Sequence, residues 1–237
     1  KEGVKSIPSG ILSRRSQCIF ELIYFSRPDS NVFGENVYLF RKRQGALLAK
    51  EYPLDVDFVM PFPDSGNYAA IGYAQASGIP LEMGMIRNHY IGRTFIQPSQ
   101  SMRDFGVKVK LNPVKELLQG KKVLIMEDSI IRGTTAKTRV KTLREIGAKE
   151  VHMVVSCPPH AYPCHYGIDF STRGELIAGQ KSVGEIRDFV GLDSLGYLSI
   201  DNLKQATTIP DQDLCFACFN GQYPVPIEKE TSKFCLE

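Results

Sequence analysis

The sequence predicts an α/β fold built on a mostly parallel sheet with helices on both faces, and three observations carry that reading. Short apolar runs alternate with helical patterns from about residue 37 to 156. The run Val123-Leu124-Ile125-Met126 is uniformly apolar and bounded by charge on both sides, as suits a strand buried on both faces. Gly and Pro close the helical patterns between the strand-like runs. Such alternation lays crossover helices over a parallel sheet.

Residues 36–50 read as an amphipathic helix with Val37, Phe40, Leu47 and Leu48 as candidate core positions, ended by Pro53. Val56 to Met60 reads as a short buried strand. The turn-rich stretch Pro61-Phe62-Pro63-Asp64-Ser65-Gly66 follows, and then a helix from Ala69 to Ser77 closed by Gly78 and Pro80. Leu81 to Ile86 is expected as the next strand, and Val123 to Met126 as the clearest one. Residues 135–146 read as a helix closed by Gly147, and Val151 to Ser156 as a further strand. The last quarter is different in texture, with Gly, Pro and Cys throughout. A capping box, Ser182-Val183-Gly184-Glu185, starts a short helix there. The expected organisation is a linker over residues 1–17, a core over 18–172, and a small Cys-containing helical lobe over 173–237. That lobe packs back on the core and stands outside the sheet.

A chain of 237 residues can bury a real core. Its formal net charge of +3 is too small to argue for nucleic acid and is compatible with an anionic small-molecule substrate. No apolar run approaches the roughly 18 residues of a membrane span. Lys1 to Ser9 lacks the apolar core of a signal peptide, so a cytoplasmic protein is expected, and its six cysteines are not read as a disulfide framework.

In open parallel sheets ligands bind beyond the carboxyl ends of the strands. That rule selects residues 61–66, the stretch after 81–86, and residues 127–135. The third is the richest: Glu127-Asp128-Ser129-Ile130-Ile131-Arg132-Gly133-Thr134-Thr135 runs from a buried strand into a helix. Carboxylates accept hydrogen bonds from ribose hydroxyls, Gly133 lets the backbone approach a phosphate, and N–H groups at the helix start stabilise a dianion. Ser129, Thr134 and Thr135 add neutral donors. The bland reading is an ordinary strand–loop–helix capped by Thr134. In the turn 61–66, Gly66 and the following helix start can likewise approach an anion, while Pro-Asp-Ser-Gly is also a common turn composition. Residues 87–113 carry Arg87, Arg93, Arg103, Lys108 and Lys110 against one acid, Asp104. They read as a basic loop able to close over an anion, or as a solvated charged surface. Cys215-x-x-Cys218 can be redox-active, zinc-binding or neither.

The string from Glu127 to Thr135 resembles the phosphoribosyl pyrophosphate (PRPP) loop of type I phosphoribosyltransferases, and is most similar to that of the amidophosphoribosyltransferases of purine synthesis. The resemblance runs over residues 17–224. It takes in Gln17-Cys18-Ile-Phe-Glu21-Leu-Ile-Tyr24-Phe25-Ser26-Arg27-Pro28-Asp29-Ser30, Pro63-Asp64-Ser65-Gly66, Tyr90-Ile-Gly92-Arg93-Thr94-Phe95-Ile-Gln97-Pro98 and Cys215-Phe-Ala-Cys218-Phe. One departure is Glu127, where the family usually has Asp.

The resemblance implies formation of 5-phosphoribosylamine from PRPP and ammonia, with Asp128, Glu127, Arg93 and Lys110 as catalytic residues. PRPP would be held by Glu127, Asp128, Ser129, Arg132, Gly133, Thr134, Thr135, Asp64, Ser65 and Gly66. Mg²⁺ would sit at Ser65, Glu127 and Asp128, and a [4Fe–4S] cluster, or zinc as the runner-up, at Cys18, Cys164, Cys215 and Cys218. It further implies feedback inhibition by purine nucleotides, a homo-oligomer, and a glutamine-hydrolysing domain whose N-terminal Cys nucleophile has no counterpart among these residues, so glutaminase activity is not expected of this chain alone. No nucleic-acid or membrane partner is expected. The rival readings are a base-salvage phosphoribosyltransferase and a PRPP-sensing regulator without turnover.

Overall fold

The computed structural model describes residues 14–88, 90, 111–170 and 172–227. Its strands in chain order are β1 (Gln17–Cys18), β2 (Asn31–Val32), β3 (Glu35–Asn36), β4 (Phe58–Pro61), β5 (Met85–Arg87), β6 (Leu111–Pro113), β7 (Lys122–Glu127), β8 (Glu150–Val155), β9 (Ser194–Tyr197) and β10 (Leu214–Cys215). Its α-helices are α1 (Val37–Glu51), α2 (Asn67–Ser77), α3 (Lys115–Leu118), α4 (Thr134–Ile146), α5 (Val183–Val190), α6 (Ile200–Gln205) and α7 (Ala217–Asn220).

The centre is a four-stranded parallel sheet in the order β4–β7–β8–β9. Five of the six residues of β7 are buried, since helices cover the sheet. The pair α1 and α2 packs with α2 against β4 and β7, and the pair α4 and α5 packs against β8 and β9. Helix α1 is capped by the Asn36 side chain, which accepts from the Leu39 N–H, and it buries Val37, Phe40 and Leu48 as the periodicity requires. The same face also buries Arg41 and Gln44.

Two glycines set how closely α1 and α2 cross. A Cβ at Gly45 would lie 1.8 Å from the Ala69 carbonyl oxygen, and one at Gly72 would lie 1.9 Å from that of Lys42. Any side chain at either position would force the helices apart.

Two expectations are corrected. Residues 81–86 do not form a strand of the sheet. Leu81 makes one isolated parallel bridge to Val59, and Met85–Arg87 pairs antiparallel with β6 in a separate ribbon. The Glu82 N–H still reaches the Val59 carbonyl, but Leu81 and Met83 are exposed, so no apolar face holds the segment against the edge. Nor does the last quarter stand outside the sheet, because β9 extends it by pairing with β8. The sequence Ser-Leu-Gly-Tyr has no apolar run to announce this, and Gly196 is there to fit the Tyr52 ring, which a Cβ would approach to 2.7 Å. The capping box at Ser182 and Glu185 is present and starts α5. Residue 18 is tied to the C-terminal region by the parallel pairing of β1 with β10.

Candidate active site

Strands β4 and β7 are neighbours, so the loops after them open at the same end of the sheet. The first, residues 62–66, folds back on β7 through the Phe62 N–H donating to the Met126 carbonyl at 2.9 Å. Gly66 is packed so tightly that a Cβ would lie 2.2 Å from that carbonyl oxygen. The second leaves β7 at Glu127 and enters α4 through Gly133, which takes a left-handed conformation with φ of 75°. Gly133, and not Thr134, therefore occupies the cap position, and a Cβ on it would meet Ile177 at 2.8 Å and Phe189 at 3.2 Å.

A cavity of about 480 Å³ is lined by Ser65 and by every residue from Glu127 to Ala136. It gathers Ser65, Glu127, Asp128, Ser129, Arg132, Gly133, Thr134 and Thr135 around one space. Beside it lies a second cavity of about 750 Å³ that includes Asp64 and Arg87. These two form an ion pair on the rim. Gly66 lines neither cavity and acts through its packing under the turn. Arg132 reaches the first cavity while its guanidinium bonds Glu175 at 2.8 Å. Arg93 and Lys110 lie outside the described residues.

The two carboxylates are buried, Glu127 at 7% exposure and Asp128 at 4%. Burial, and then the charge of Asp128, push the Glu127 carboxyl up to about 8. Burial also raises Asp128, opposed by hydrogen bonds from the Ser129 and Ser65 hydroxyls and by the charge of Arg41. Adjacent buried carboxylates resist double ionisation, so the site favours a cationic partner.

Four residues to which the sequence reading gave no site role complete the walls, two of them, Tyr24 and Phe25, within the motif from Gln17 to Ser30. Arg139 pairs with Glu127 Oε2 at 3.1 Å and lines both cavities. Arg41 is buried under Asp128 and donates to the carbonyls of Leu22 and Ser26, each at 2.9 Å. Tyr24 and Phe25, each about half exposed, project into both cavities. A signal existed for the two arginines. Arg139 follows Thr135 at i+4 on one helix face, and Arg41 interrupts the apolar stripe of α1.

Cys18, Cys164, Cys215 and Cys218 line one further cavity, of about 510 Å³. Cys18 faces Cys215 in the β1–β10 register. The fully buried Cys157 lies apart from that cavity, with its Sγ 3.9 Å from His160 Nδ1, and His165 packs edge-on against the Tyr223 ring. Among the described residues no group of three His, Cys, Asp or Glu is placed to hold a metal ion. None of the helices is long and apolar enough to cross a membrane, again among the described residues.

No protein-family model matches the chain. It is 53% identical over 222 residues to an amidophosphoribosyltransferase of Synechococcus elongatus, covering 93% of this chain and 45% of that one. Identity is 53% over 213 residues to the chloroplastic amidophosphoribosyltransferase of Glycine max, covering 90% of this chain and 37% of the relative. Among solved structures, the glutamine PRPP amidotransferase of B. subtilis complexed with ADP and GMP superposes with a TM-score of 0.83 at 50% identity, covering 92% of this chain and 49% of that one. The chain thus spans a little under half the length of the relatives it matches.

Proposed function

The chain belongs with the amidophosphoribosyltransferases, and on that premise we propose that it binds PRPP and transfers the phosphoribosyl group to ammonia, releasing pyrophosphate. One observation carries the proposal. Ser65 and the run from Glu127 to Thr135 face a single cavity, in which Asp128 is buried and a helix begins.

The 5′-phosphate sits at the start of α4, on backbone N–H groups and the hydroxyls of Ser129, Thr134 and Thr135. Asp128 accepts from the ribose hydroxyls, and the turn at Asp64–Gly66 faces the pyrophosphate. As the C1–O bond loosens, positive charge develops on the ring beside the buried carboxylates. Ammonia then forms the new C–N bond from the opposite face, and the bonding pair leaves with pyrophosphate. The work is positioning and electrostatics, with no covalent enzyme intermediate. Arg93 and Lys110 enter this scheme on the resemblance alone.

Ser65, Asp128 and Glu127 supply the oxygen donors that would hold magnesium, whose preference is for such ligands shared with substrate phosphates. Bound there, the metal would spread the charge of the leaving pyrophosphate. The four cysteines would hold a [4Fe–4S] cluster. Zinc is the runner-up, and what supports either group is that the four cysteines line one cavity. Inhibition by purine nucleotides, homo-oligomer formation and a cytoplasmic location belong to the same proposal; the Glycine max relative is chloroplastic.

The test is pyrophosphate release from PRPP and Mg²⁺ by the anaerobically prepared chain, with ammonium or glutamine as nitrogen source. Release with ammonium is the expected result. PRPP binding with no release under either condition would instead favour a sensing role.

A further inference from the structure

Arg139 stands apart from the other basic residues around the two cavities. Arg41 is buried and gives Nε and Nη2 to backbone carbonyls. Arg87 is paired with Asp64, and Arg132 with Glu175. Arg139 is shared by the linings of both cavities. Its side chain is about a quarter exposed and is fixed from two directions. The guanidinium lies over the Phe62 ring, 4.7 Å from the centroid, and Nη1 donates to Glu127 Oε2 at 3.1 Å. A guanidinium carries five N–H donors in a planar fork. Among the described residues, Glu127 is the hydrogen-bond acceptor of this one, so most of the fork remains available at the junction of the cavities.

We infer that Arg139 is a substrate-binding residue for the pyrophosphate group, and that Glu127 is the positioning residue that aims it. The inference rests on the phosphoribosyl-transfer reading of the site and goes beyond it by assigning a ligand contact. The 5′-phosphate end already has a helix start and three hydroxyls. In the 750 Å³ cavity, where the turn Asp64–Ser65 faces, the cationic side chains are Arg41, committed to backbone carbonyls, Arg87, paired with Asp64, and Arg139. A planar fork matches phosphate oxygens bidentately, and a ring beneath it keeps it from folding away. Glutamate at 127 has the reach to hold a helix residue on α4 by Oε2 while its Oε1 accepts from the Asp128 N–H at 3.3 Å.

The experiment compares wild type with Arg139→Gln and Arg139→Lys. It measures binding of inorganic pyrophosphate with Mg²⁺, binding of ribose 5-phosphate, and KM and kcat for PRPP with ammonium. Arg139→Gln should weaken pyrophosphate binding and raise the PRPP KM by roughly tenfold to a hundredfold, the range of a charge-assisted contact. Ribose 5-phosphate binding should stay as in wild type. Arg139→Lys should recover part of the loss, since it keeps the charge without the fork. Glu127→Asp, which retracts the carboxylate, should shift pyrophosphate affinity in the same direction by less. A purely structural role would lower both affinities and the melting temperature together, and that result would overturn the inference. Unchanged pyrophosphate affinity in folded Arg139→Gln, or no pyrophosphate binding by wild type, would overturn it as well. Pyrophosphate binding that depends on Arg139 while PRPP is not turned over would leave the assignment standing and remove the transfer reading alone.

Discussion

Cys18 and Cys215 sit opposite each other in a two-residue parallel ladder, 197 positions apart in sequence, and their thiols open on the same cavity as those of Cys164 and Cys218. Burial raises the pKa of Cys18, Cys215 and Cys218, and the neighbouring thiols raise each of them further. Cys18, Cys215 and Cys218 are therefore held as neutral thiols, and a cation bound among them would favour their thiolate forms.

The first prediction concerns that cavity. Anaerobically prepared chain should contain iron and acid-labile sulfide, and Cys215→Ser should lose both. Cys157→Ser, altered outside the cavity, should keep them. Zinc without sulfide in the purified chain would replace the cluster by the ion.

Asp128→Asn removes the charge at the centre of the first cavity while preserving its shape. Turnover of PRPP should fall by roughly a hundredfold or more, the scale for losing a group that stabilises developing charge. Melting temperature should change little or rise, since burial of this carboxylate disfavours its charged form. Near-wild-type turnover in a folded Asp128→Asn protein would exclude it from the chemistry.

Gly133→Ala tests the phosphate loop. At φ of 75° a Cβ costs roughly 1–2 kcal/mol, and here it also presses on Ile177. The variant should be less stable by about that amount in urea titrations, with PRPP affinity reduced. Unaltered stability would mean that the loop takes another conformation in solution.

Glu35 provides the pH dependence. Burial works against its ionisation, but the Thr208 N–H, Arg43 and the Thr208 hydroxyl outweigh it and hold the carboxyl below its usual range. The folded chain therefore binds fewer protons here than the unfolded one. The stabilisation is complete above the unfolded value of about 4.5 and is lost as pH falls through the lower folded value. Glu35→Gln should cost roughly 1–3 kcal/mol at neutral pH. The gap from wild type in unfolding free energy should close on acidification, and a gap constant from pH 7 to 3 would exclude the carboxylate as its source.

The strands whose burial is two-sided were legible because residue type alone reveals them: the apolar run at 123–126 became the middle of β7. Strand β9 was not, because Gly196 and Ser194 are chosen for contact with Tyr52 and His152, not for hydropathy. The stretch 81–86 has the hydropathy of a strand but no surface to bury it against. Within the site, the loop 127–135 was readable as contiguous sequence. Arg41 and Arg139 come to it from α1 and α4, where only their position on a helix face distinguishes them from solvated arginines. Tyr24 and Phe25 arrive on a single π-helical turn, Glu21–Phe25, for which the sequence offers no periodic cue.

The contact of α1 with α2 at Gly45 and Gly72 bears on what the pocket can accommodate. Arg41, under Asp128, rides on α1, while the turn carrying Ser65 leads directly into α2. Backbone lies on backbone at two places, and only the absence of side chains at Gly45 and Gly72 lets the helices come this close. The floor and one wall of the two cavities are thus carried by two closely joined helices. A side chain at Gly45 or Gly72 would therefore shift Arg41 relative to Ser65 and reshape the space between them, although neither glycine lines either cavity.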